Sequence, residues 1–187
     1  MPTSKRQAYD GAIYHIRQRG NNGQQLFKET QDYSKFISLI KRYKDKYSFE
    51  LYNYCLMGNH VHFLMKVFKK EELAKLTQGV FQAYSLYFKQ KYQYAGYLYQ
   101  GRYKSKIIES NEYLLECARY IETNPLRAKL VKALKDYKWL SYAFYAYGQQ
   151  NALLTPNPLY GAFSNVEKRR EFYRHYVMMP RMYEDIL

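Results

Sequence analysis

The stretch Met57-Gly58-Asn59-His60-Val61-His62-Phe63-Leu64-Met65 combines a tight-turn signal with an alternating strand pattern. Gly58-Asn59 separates two runs of strand-forming residues, which predicts a β-hairpin. Alternate side chains of a strand point to the same face, so His60 and His62 are expected side by side, about 7 Å apart at Cα, with Val61 on the opposite face. The hairpin therefore presents two imidazoles on one surface.

Two imidazoles so placed can bind one divalent metal ion and leave most of its coordination shell to oxygen ligands. The alternative is a strand that carries two histidines without a chemical role. A histidine pair with this spacing also arises by chance in unrelated sequences, so the motif alone does not separate the two interpretations.

Hydrophobic periodicity predicts a regular series of elements around this hairpin. Strands are expected at residues 11–17, 48–57, 60–67 and 103–109, and amphipathic helices at residues 31–47 and 71–92. This order is typical of a ferredoxin-like α+β fold, in which two helices cover one face of an antiparallel sheet. If Val61 faces those helices, His60 and His62 face the other side, which is expected to be open to a substrate.

A third helix is expected at residues 111–123, with Ser110 as its N-cap and Pro125 marking its end. One stripe of this helix is apolar and would dock it on the sheet. The neighbouring stripe contains Tyr120 and Asn124, one helical turn apart, and is expected to face the open side. The apolar stripe comprises Leu114, Ala118 and Ile121, and the other stripe begins with Tyr113 and Cys117.

The length of 187 residues suits one domain with a substantial core. The chain has no repeat, low-complexity tract or Pro/Gly-rich linker before about residue 148, so residues 1–148 are expected to form one domain. A short helix is expected at residues 125–134. Residues 149–187 are expected to form a loop, including Thr155-Pro156-Asn157-Pro158, and a basic helix near residues 165–177 that packs on the same domain.

Thirty Lys and Arg residues against 16 Asp and Glu give a net charge of +14, which favours a polyanionic partner. The 24 tyrosines strengthen this inference, because amphipathic rings stack on unpaired bases while cations hold phosphates. The alternative is that the tyrosines are core residues and the charge is a solvated surface. Several of the cations on or beside the strands that border the open face are expected to contact phosphates of a nucleic acid: Arg17, Arg19, Arg102, Lys104 and Lys106.

No run of about 18 apolar residues occurs, so no segment is expected to span a membrane. The polar start of the sequence lacks the apolar stretch of a signal peptide. Two lone cysteines, Cys55 and Cys117, form neither a disulfide framework nor a zinc motif, and a reducing cytoplasm is the expected location.

The histidine stretch is one of four motifs that occur in a familiar order. The others are Gly20-Asn21-Asn22 after Tyr14-His15, Gln100-Gly101-Arg102-Tyr103-Lys104-Ser105 and Arg119-Tyr120-Ile121-Glu122-Thr123-Asn124-Pro125-Leu126-Arg127-Ala128. Together they resemble a REP-associated tyrosine transposase, a branch of the HUH-type single-strand DNA transposases, over roughly residues 9–145. Gly58 stands where the family usually has Pro and Leu126 where Val is common, and neither difference removes a reactive group.

The resemblance implies a DNA endonuclease and strand transferase that uses a tyrosine nucleophile. Tyr120 would attack a phosphodiester and form a 5′-phosphotyrosine, and His60, His62 and Asn124 would bind Mg²⁺ or Mn²⁺. The implied substrate is single-stranded or hairpin DNA formed by palindromic repeats. A phosphotyrosine stores the energy of the broken bond, so the strand can be rejoined without ATP. A divalent ion supports such a reaction because it neutralises charge and stabilises the leaving 3′-oxygen.

Other assignments stay open at this point. Tyr113 lies one heptad before Tyr120 and competes for the role of nucleophile, although it lacks an amide four residues later. His15 either neighbours the site or is a structural histidine, and Glu116 and Glu122 either assist a proton transfer or are solvated helix carboxylates. The rival functions are a non-catalytic nucleic-acid-binding module and a replication initiator or relaxase. The protein would act as a monomer or a homodimer.

Overall fold

The computed structural model describes residues 8–163, 165 and 168–179. Its strands are β1 (Ile13–Arg19), β2 (Phe49–Met57), β3 (His60–Val67) and β4 (Lys104–Ile107), and its helices are α1 (Thr30–Lys44), α2 (Lys70–Tyr92), α3 (Asn111–Arg127), α4 (Tyr142–Tyr147) and α5 (Arg169–Met178). The four strands form one antiparallel sheet in the order β2-β3-β1-β4. This order, with helices packed on the sheet, confirms the predicted ferredoxin-like α+β class.

The β2–β3 hairpin turns at Gly58-Asn59, as predicted, and β3 has the predicted bounds. Val61 and Phe63 are buried on the side of α1 and α2. The ring of Phe63 packs on Phe36 of α1 and Phe81 of α2, at centroid distances of 6.1 and 6.4 Å. Because side chains alternate along a strand, the two histidines of β3 point to the opposite face.

The face opposite α1 and α2 is half covered, which corrects the expectation of an open face. β2 is buried on both sides over most of its length, so its second side also needs a cover. α3 provides it, and Cys117 joins Cys55 and Leu64 in a second buried cluster. Cys117 therefore lies in the core instead of on an exposed stripe. The exposed part of this face lies over β1 and β4, where Lys104 and Lys106 reach solvent.

The N-terminal end of α3 is as predicted, and other boundaries are shifted. The Oγ of Ser110 accepts a hydrogen bond from the backbone N–H of Tyr113 at 3.1 Å, which caps the helix. β1 lies two residues later than the predicted 11–17, and β4 is shorter than the predicted 103–109 at both ends.

The C-terminal end of α3 differs from the prediction. The helix passes through Pro125 instead of ending there, so the separate helix expected at residues 125–134 is also wrong. Proline cannot donate a helical hydrogen bond, but the N–H of Ala128 donates to the carbonyl of Asn124 at 2.9 Å and closes the last turn. The following stretch instead forms a short 3₁₀ turn, Leu134–Asp136.

Segments after residue 140 pack on the outer side of α3. Tyr173 and Val177 of α5 are buried in the second cluster together with residues of α4, a helix that was not predicted. The N–H of Thr155 donates to the carbonyl of Leu51 at 2.9 Å, which ties the predicted loop to β2.

Some residues of the predicted segments lie outside the described residues. They are residues 1–7, residues 180–187, and residues 166 and 167 of the predicted basic helix. The division at residue 148 stays a prediction. None of the helices in the described ranges combines the length and the apolar character needed to cross a membrane.

Candidate active site

Tyr120 of α3 lies against the histidine pair of β3. The rings of His60 and His62 have centroids 5.0 Å apart, and the ring of Tyr120 lies edge-on to His62 at 5.5 Å. α3 reaches this position because its apolar face docks on β2 and β3. The strand and the helix that the motifs singled out therefore meet at one place.

Asn124 lies one helical turn after Tyr120, and its Nδ2 donates to the Tyr120 carbonyl at 2.7 Å. The Asn124 side chain lies beside His60, where its hydrogen bond partly offsets the lowering of the pKa of that imidazole. Only 9% of Asn124 is exposed, so this residue is enclosed between helix and sheet and does not face solvent freely. The structure thus brings the tyrosine, the two imidazoles and the amide together.

Each imidazole of the pair has its Nδ1 atom in a hydrogen bond. Nδ1 of His62 lies 2.9 Å from Nε2 of His15, and Nδ1 of His60 lies 2.7 Å from Oδ1 of Asn59. An amide oxygen only accepts, so His60 donates through Nδ1 and carries its lone pair on Nε2. Nε2 of His62 is buried and has no hydrogen-bond partner in the described part of the chain. Nε2 of His62 is therefore left for a ligand, and the second nitrogen of His60 lies on the side of Asn124.

Burial keeps these histidines neutral. It lowers the pKa of His15 to about 4 and the pKa of His60 to about 4, and the positive charge of Arg17 adds to both shifts. The pKa of His62 falls well below its usual range, first because of burial and then because of the neighbouring His15 and His60. Neutral imidazole is the form that binds a metal ion.

The donor atoms present suit a metal ion that takes most of its ligands from elsewhere. Within residues 8–163, 165 and 168–179, no group of three or more His, Cys, Asp or Glu side chains is arranged to hold a metal. The site instead offers two neutral imidazoles, one with an otherwise unpartnered buried Nε2, and a neighbouring amide. Mg²⁺ and Mn²⁺ favour oxygen ligands, and phosphate and water oxygens can complete such a set.

Glu122 is fully buried beneath α3, which overturns the expectation of a solvated carboxylate. Its Oε1 accepts hydrogen bonds from Nδ2 of Asn53 at 2.7 Å and from Oγ of Ser141 at 2.6 Å. Burial raises the pKa of Glu122 to about 8, although the bonds from Ser141, Asn53 and Tyr173 oppose the shift. The side chain joins α3 to β2 and to the start of α4, so it holds the helix that carries Tyr120 on the sheet.

Glu116 and Tyr113 make other contacts on α3. Glu116 accepts hydrogen bonds from Arg119 at 2.6 Å and from Tyr176 at 3.1 Å, which links α3 to α5. The ring of Tyr113 lies beneath the ammonium group of Lys106, 4.7 Å from Nζ to the centroid. These contacts give Glu116 a structural role and leave Tyr113 as a natural control for Tyr120.

A basic cleft of about 320 Å³ lies beside the histidine pair, at the ends of β1 and β4. Arg17 pairs with His62 across the β1–β3 ladder, so the two side chains share a face. Four of the five cations predicted to bind DNA line this cleft, and the fifth, Lys106, lies over Tyr113. The residues that define the basic cleft are Arg17, Gln18, Arg19, Gln100, Arg102 and Lys104.

Three further residues contact the site. The ring of His15 stacks on His62 at 5.2 Å and meets Tyr120 at 5.9 Å, and Asn59 orients the neighbouring imidazole. The guanidinium of Arg127 lies over the Tyr120 ring, 5.2 Å from its centroid. The sequence left open whether His15 neighbours the site, and the pairing of β1 with β3 places it there. Arg127 gave no signal in the sequence, because it follows the proline that was expected to end the helix.

The sequence of residues 8–124 matches the family described as IS200-like transposases. The chain belongs to the IS200-like transposase family. The part of this transposase that matches begins just before β1 and ends at Asn124, so it includes the histidine pair and Tyr120.

Two solved structures were compared with this IS200-like transposase. A REP-associated tyrosine transposase bound to a REP hairpin superposes with a TM-score of 0.67 at 16% sequence identity, over 84% of this chain and 93% of that chain. A putative transposase from Deinococcus radiodurans R1 gives a TM-score of 0.42 at 18% identity, over 66% of this chain and 97% of that one. No curated protein matches the sequence. The first comparison shows a shared fold.

Proposed function

We propose that this IS200-like transposase cleaves and rejoins single-stranded DNA, with Tyr120 as the nucleophile and Mg²⁺ or Mn²⁺ as the cofactor. The observation that carries the proposal is the contact of Tyr120 with His62, at 5.5 Å between ring centroids, on a helix that also places Asn124 beside His60. A module that only binds nucleic acid has no need for a tyrosine, two neutral imidazoles and an amide at one place.

The proposed reaction exchanges one phosphoester bond for another. Oη of Tyr120 attacks the scissile phosphorus, the bond to the 3′-oxygen breaks, and the 5′-phosphate stays on the tyrosine as an ester. The phenol loses one proton and the departing 3′-oxygen gains one, so the step is balanced. Attack by a 3′-hydroxyl on the phosphotyrosine reverses the exchange, joins the strand and releases Tyr120.

The proposal assigns a role to each residue around Tyr120. His60, His62 and Asn124 would hold the metal ion, which supplies neutralisation of the phosphate charge and stabilisation of the departing oxygen. Nε2 of His15 contacts Nδ1 of His62 and orients that imidazole. Oδ1 of Asn59 does the same at Nδ1 of His60. Neutral imidazoles are ready to bind a cation near pH 7 without first losing a proton.

The proposed substrate is DNA with a hairpin next to a single strand. The basic cleft offers several phosphate contacts beside Tyr120. Arg127, over the Tyr120 ring, is placed to hold a phosphate oxygen at the point of attack. The solved transposase with a similar fold is bound to a REP hairpin, which supports this choice of substrate.

Formation of a covalent protein–DNA complex tests the proposal. The protein is incubated with Mn²⁺ and a labelled hairpin oligonucleotide that carries a single-stranded flank, and the products are separated on a denaturing gel. Wild type and Tyr113→Phe should give a covalent band, whereas Tyr120→Phe should give none, because it loses only the hydroxyl. EDTA should remove the band from wild type.

Each contrary outcome points to a different error. A band from Tyr120→Phe would move the nucleophile to another tyrosine, and a band in EDTA would contradict the metal site. Hairpin binding without a band from any of these proteins would favour a non-catalytic nucleic-acid-binding module.

A further inference from the structure

A larger groove lies on the helix-covered side of the sheet, away from the histidine pair. It runs between α2 and the segment of residues 97–103, and its volume is about 600 Å³. Volumes of roughly 300–1,000 Å³ are typical of pockets that bind small organic groups. We call it the α2 groove. Residues of three segments line it: Gln18 and Asn21; Gln78, Phe81, Gln82, Ser85 and Lys89; and Tyr97, Leu98, Tyr99, Gly101, Arg102 and Tyr103.

The floor of the α2 groove is aromatic. The ring of Phe81 lies 5.4 Å from Tyr99 and 6.3 Å from Tyr103. The Oη of Tyr99 is buried and has no hydrogen-bond partner among the residues that the structure describes. At the rim, Tyr97 is 83% exposed, so its ring face is free to receive a flat group. This floor and rim suit a planar, partly polar ligand.

The walls of the groove carry amides and cations. Gln18, Asn21, Gln78 and Gln82 each offer both a donor and an acceptor. Lys89 and Arg102 supply positive charge, and no carboxylate occurs among the described residues that line the groove. Amides beside aromatic rings can pair with the edges of a nucleobase, and cations can hold its phosphates.

The groove is continuous with the basic cleft. Gln18 of β1 and Arg102 of the segment before β4 line both the groove and the basic cleft. Nε2 of Gln18 donates to the carbonyl of Gly101 at 3.2 Å, so the amide at this junction is fixed in place. A strand whose phosphates lie in the basic cleft therefore passes the mouth of the α2 groove.

We propose that the α2 groove binds an unpaired base of the DNA strand whose phosphates occupy the basic cleft. The inference rests on the proposed function, since it takes single-stranded DNA as the ligand. A base that is already unpaired enters such a pocket at little cost, because no stacking or pairing must be broken. The groove thereby anchors the single-stranded flank and fixes which phosphate reaches Tyr120.

Equilibrium DNA binding in EDTA tests this inference without any cleavage. Two labelled DNAs are compared by fluorescence anisotropy: a hairpin with a single-stranded flank and the same hairpin without it. The variants are Gln82→Ala and Tyr97→Ala, and the control is Gln90→Ala, an exposed glutamine of α2 outside the groove. Each groove variant should weaken binding of the flanked hairpin by about 5- to 100-fold, and the control should not. None of the three should alter binding of the hairpin without a flank.

A fluorescent base analogue such as 2-aminopurine, placed in turn at each flank position, locates the bound base. Its emission should be quenched at one position by wild type and recovered with Tyr97→Ala. Groove variants that bind the flanked hairpin like Gln90→Ala would overturn the inference, as would equal weakening for both DNAs. Tyr120→Phe should bind both DNAs like wild type in this assay. An error in the groove inference therefore appears in DNA binding, whereas an error in the nucleophile assignment appears only in the covalent band.

Discussion

Nε2 of His15 lies 2.9 Å from Nδ1 of His62. One of the two nitrogens must carry the proton that they share, and both imidazoles are neutral because burial lowers the pKa of each. For Nε2 of His62 to bind a metal ion, its Nδ1 must be the donor and His15 the acceptor. The contact with His15 thus holds the ring orientation of His62 in the proposed site, and a metal ion on Nε2 of His62 would select the tautomer of the pair.

Loss of His15 should weaken metal binding without removing a metal ligand. We expect His15→Ala to bind Mn²⁺ about 10- to 100-fold more weakly than wild type, since the imidazole of His62 loses its partner. Isothermal titration calorimetry measures the affinity, and His175→Ala, at an exposed histidine of α5, is the matched control. Equal Mn²⁺ affinity for His15→Ala and the control would show that His15 only fills space.

The buried carboxyl of Glu122 should make stability depend on pH. Its pKa is about 8 in the folded protein against an ordinary value of 4.5, so the folded state keeps a proton that the unfolded state releases. Stability should therefore fall as pH rises from about 4.5 to about 8, with a slope of up to about 1.4 kcal/mol per pH unit from this residue. Glu122→Gln should remove this contribution in urea unfolding measured across that range.

The exposed Glu109 offers the control for this experiment. Glu109→Gln should leave the pH dependence of stability as it is in wild type. If Glu122→Gln and wild type lose stability in parallel between those pH values, the carboxyl of Glu122 is ionised in the folded protein.

Lys104 should contribute an ordinary phosphate contact. We expect Lys104→Ala to reduce the slope of log affinity against log salt concentration by about 0.7 for single-stranded DNA, since one fewer counterion is released. Fluorescence anisotropy over a salt series measures the slope. Lys41→Ala removes the same charge from the exposed side of α1 and should leave the slope unchanged. Identical slopes for both variants would place the DNA outside the basic cleft.

Cleavage should require an unpaired strand. α3 covers half of the histidine-bearing face, so the free strip over β1 and β4 borders directly on Tyr120 and leaves little room for a second strand. We expect cleavage of single-stranded DNA beside a hairpin to exceed that of the same sequence in a perfect duplex by at least about tenfold. Rates are compared at one salt concentration. Equal rates on the two substrates would indicate an ordinary nuclease.

Local patterns predicted the hairpin well. The turn at Gly58-Asn59 and the alternation after it depend on neighbouring residues only, and both were predicted with the observed bounds of β3. Ser110 was predicted as a cap for the same reason, because capping involves residues within one turn.

Features that depend on distant segments were predicted poorly. Glu122 was left open between a proton-transfer role and a solvated carboxylate. Its partners are instead Asn53, from a strand, and Ser141, at the start of a helix that was not predicted. α3 covers β2 and, with the segments packed behind it, turns the expected open face into a half-covered one. Pro125 was expected to end α3, yet packing and the closing bond at Asn124 carry the helix past it.

The length of the two-residue turn between Met57 and His60 fixes the register of β3 against β2, and with it the face of the sheet to which each side chain of β3 points. Substitutions at Gly58 or Asn59 leave the count of residues intact, but one inserted residue would shift β3 against β2 and exchange the two sides of the strand. Val61 would then point toward Tyr120, and both imidazoles would point into the apolar core between the sheet and helices α1 and α2. The length of this turn thus decides which face of β3 carries the histidines, and residue type adds to it at Asn59, which bonds His60.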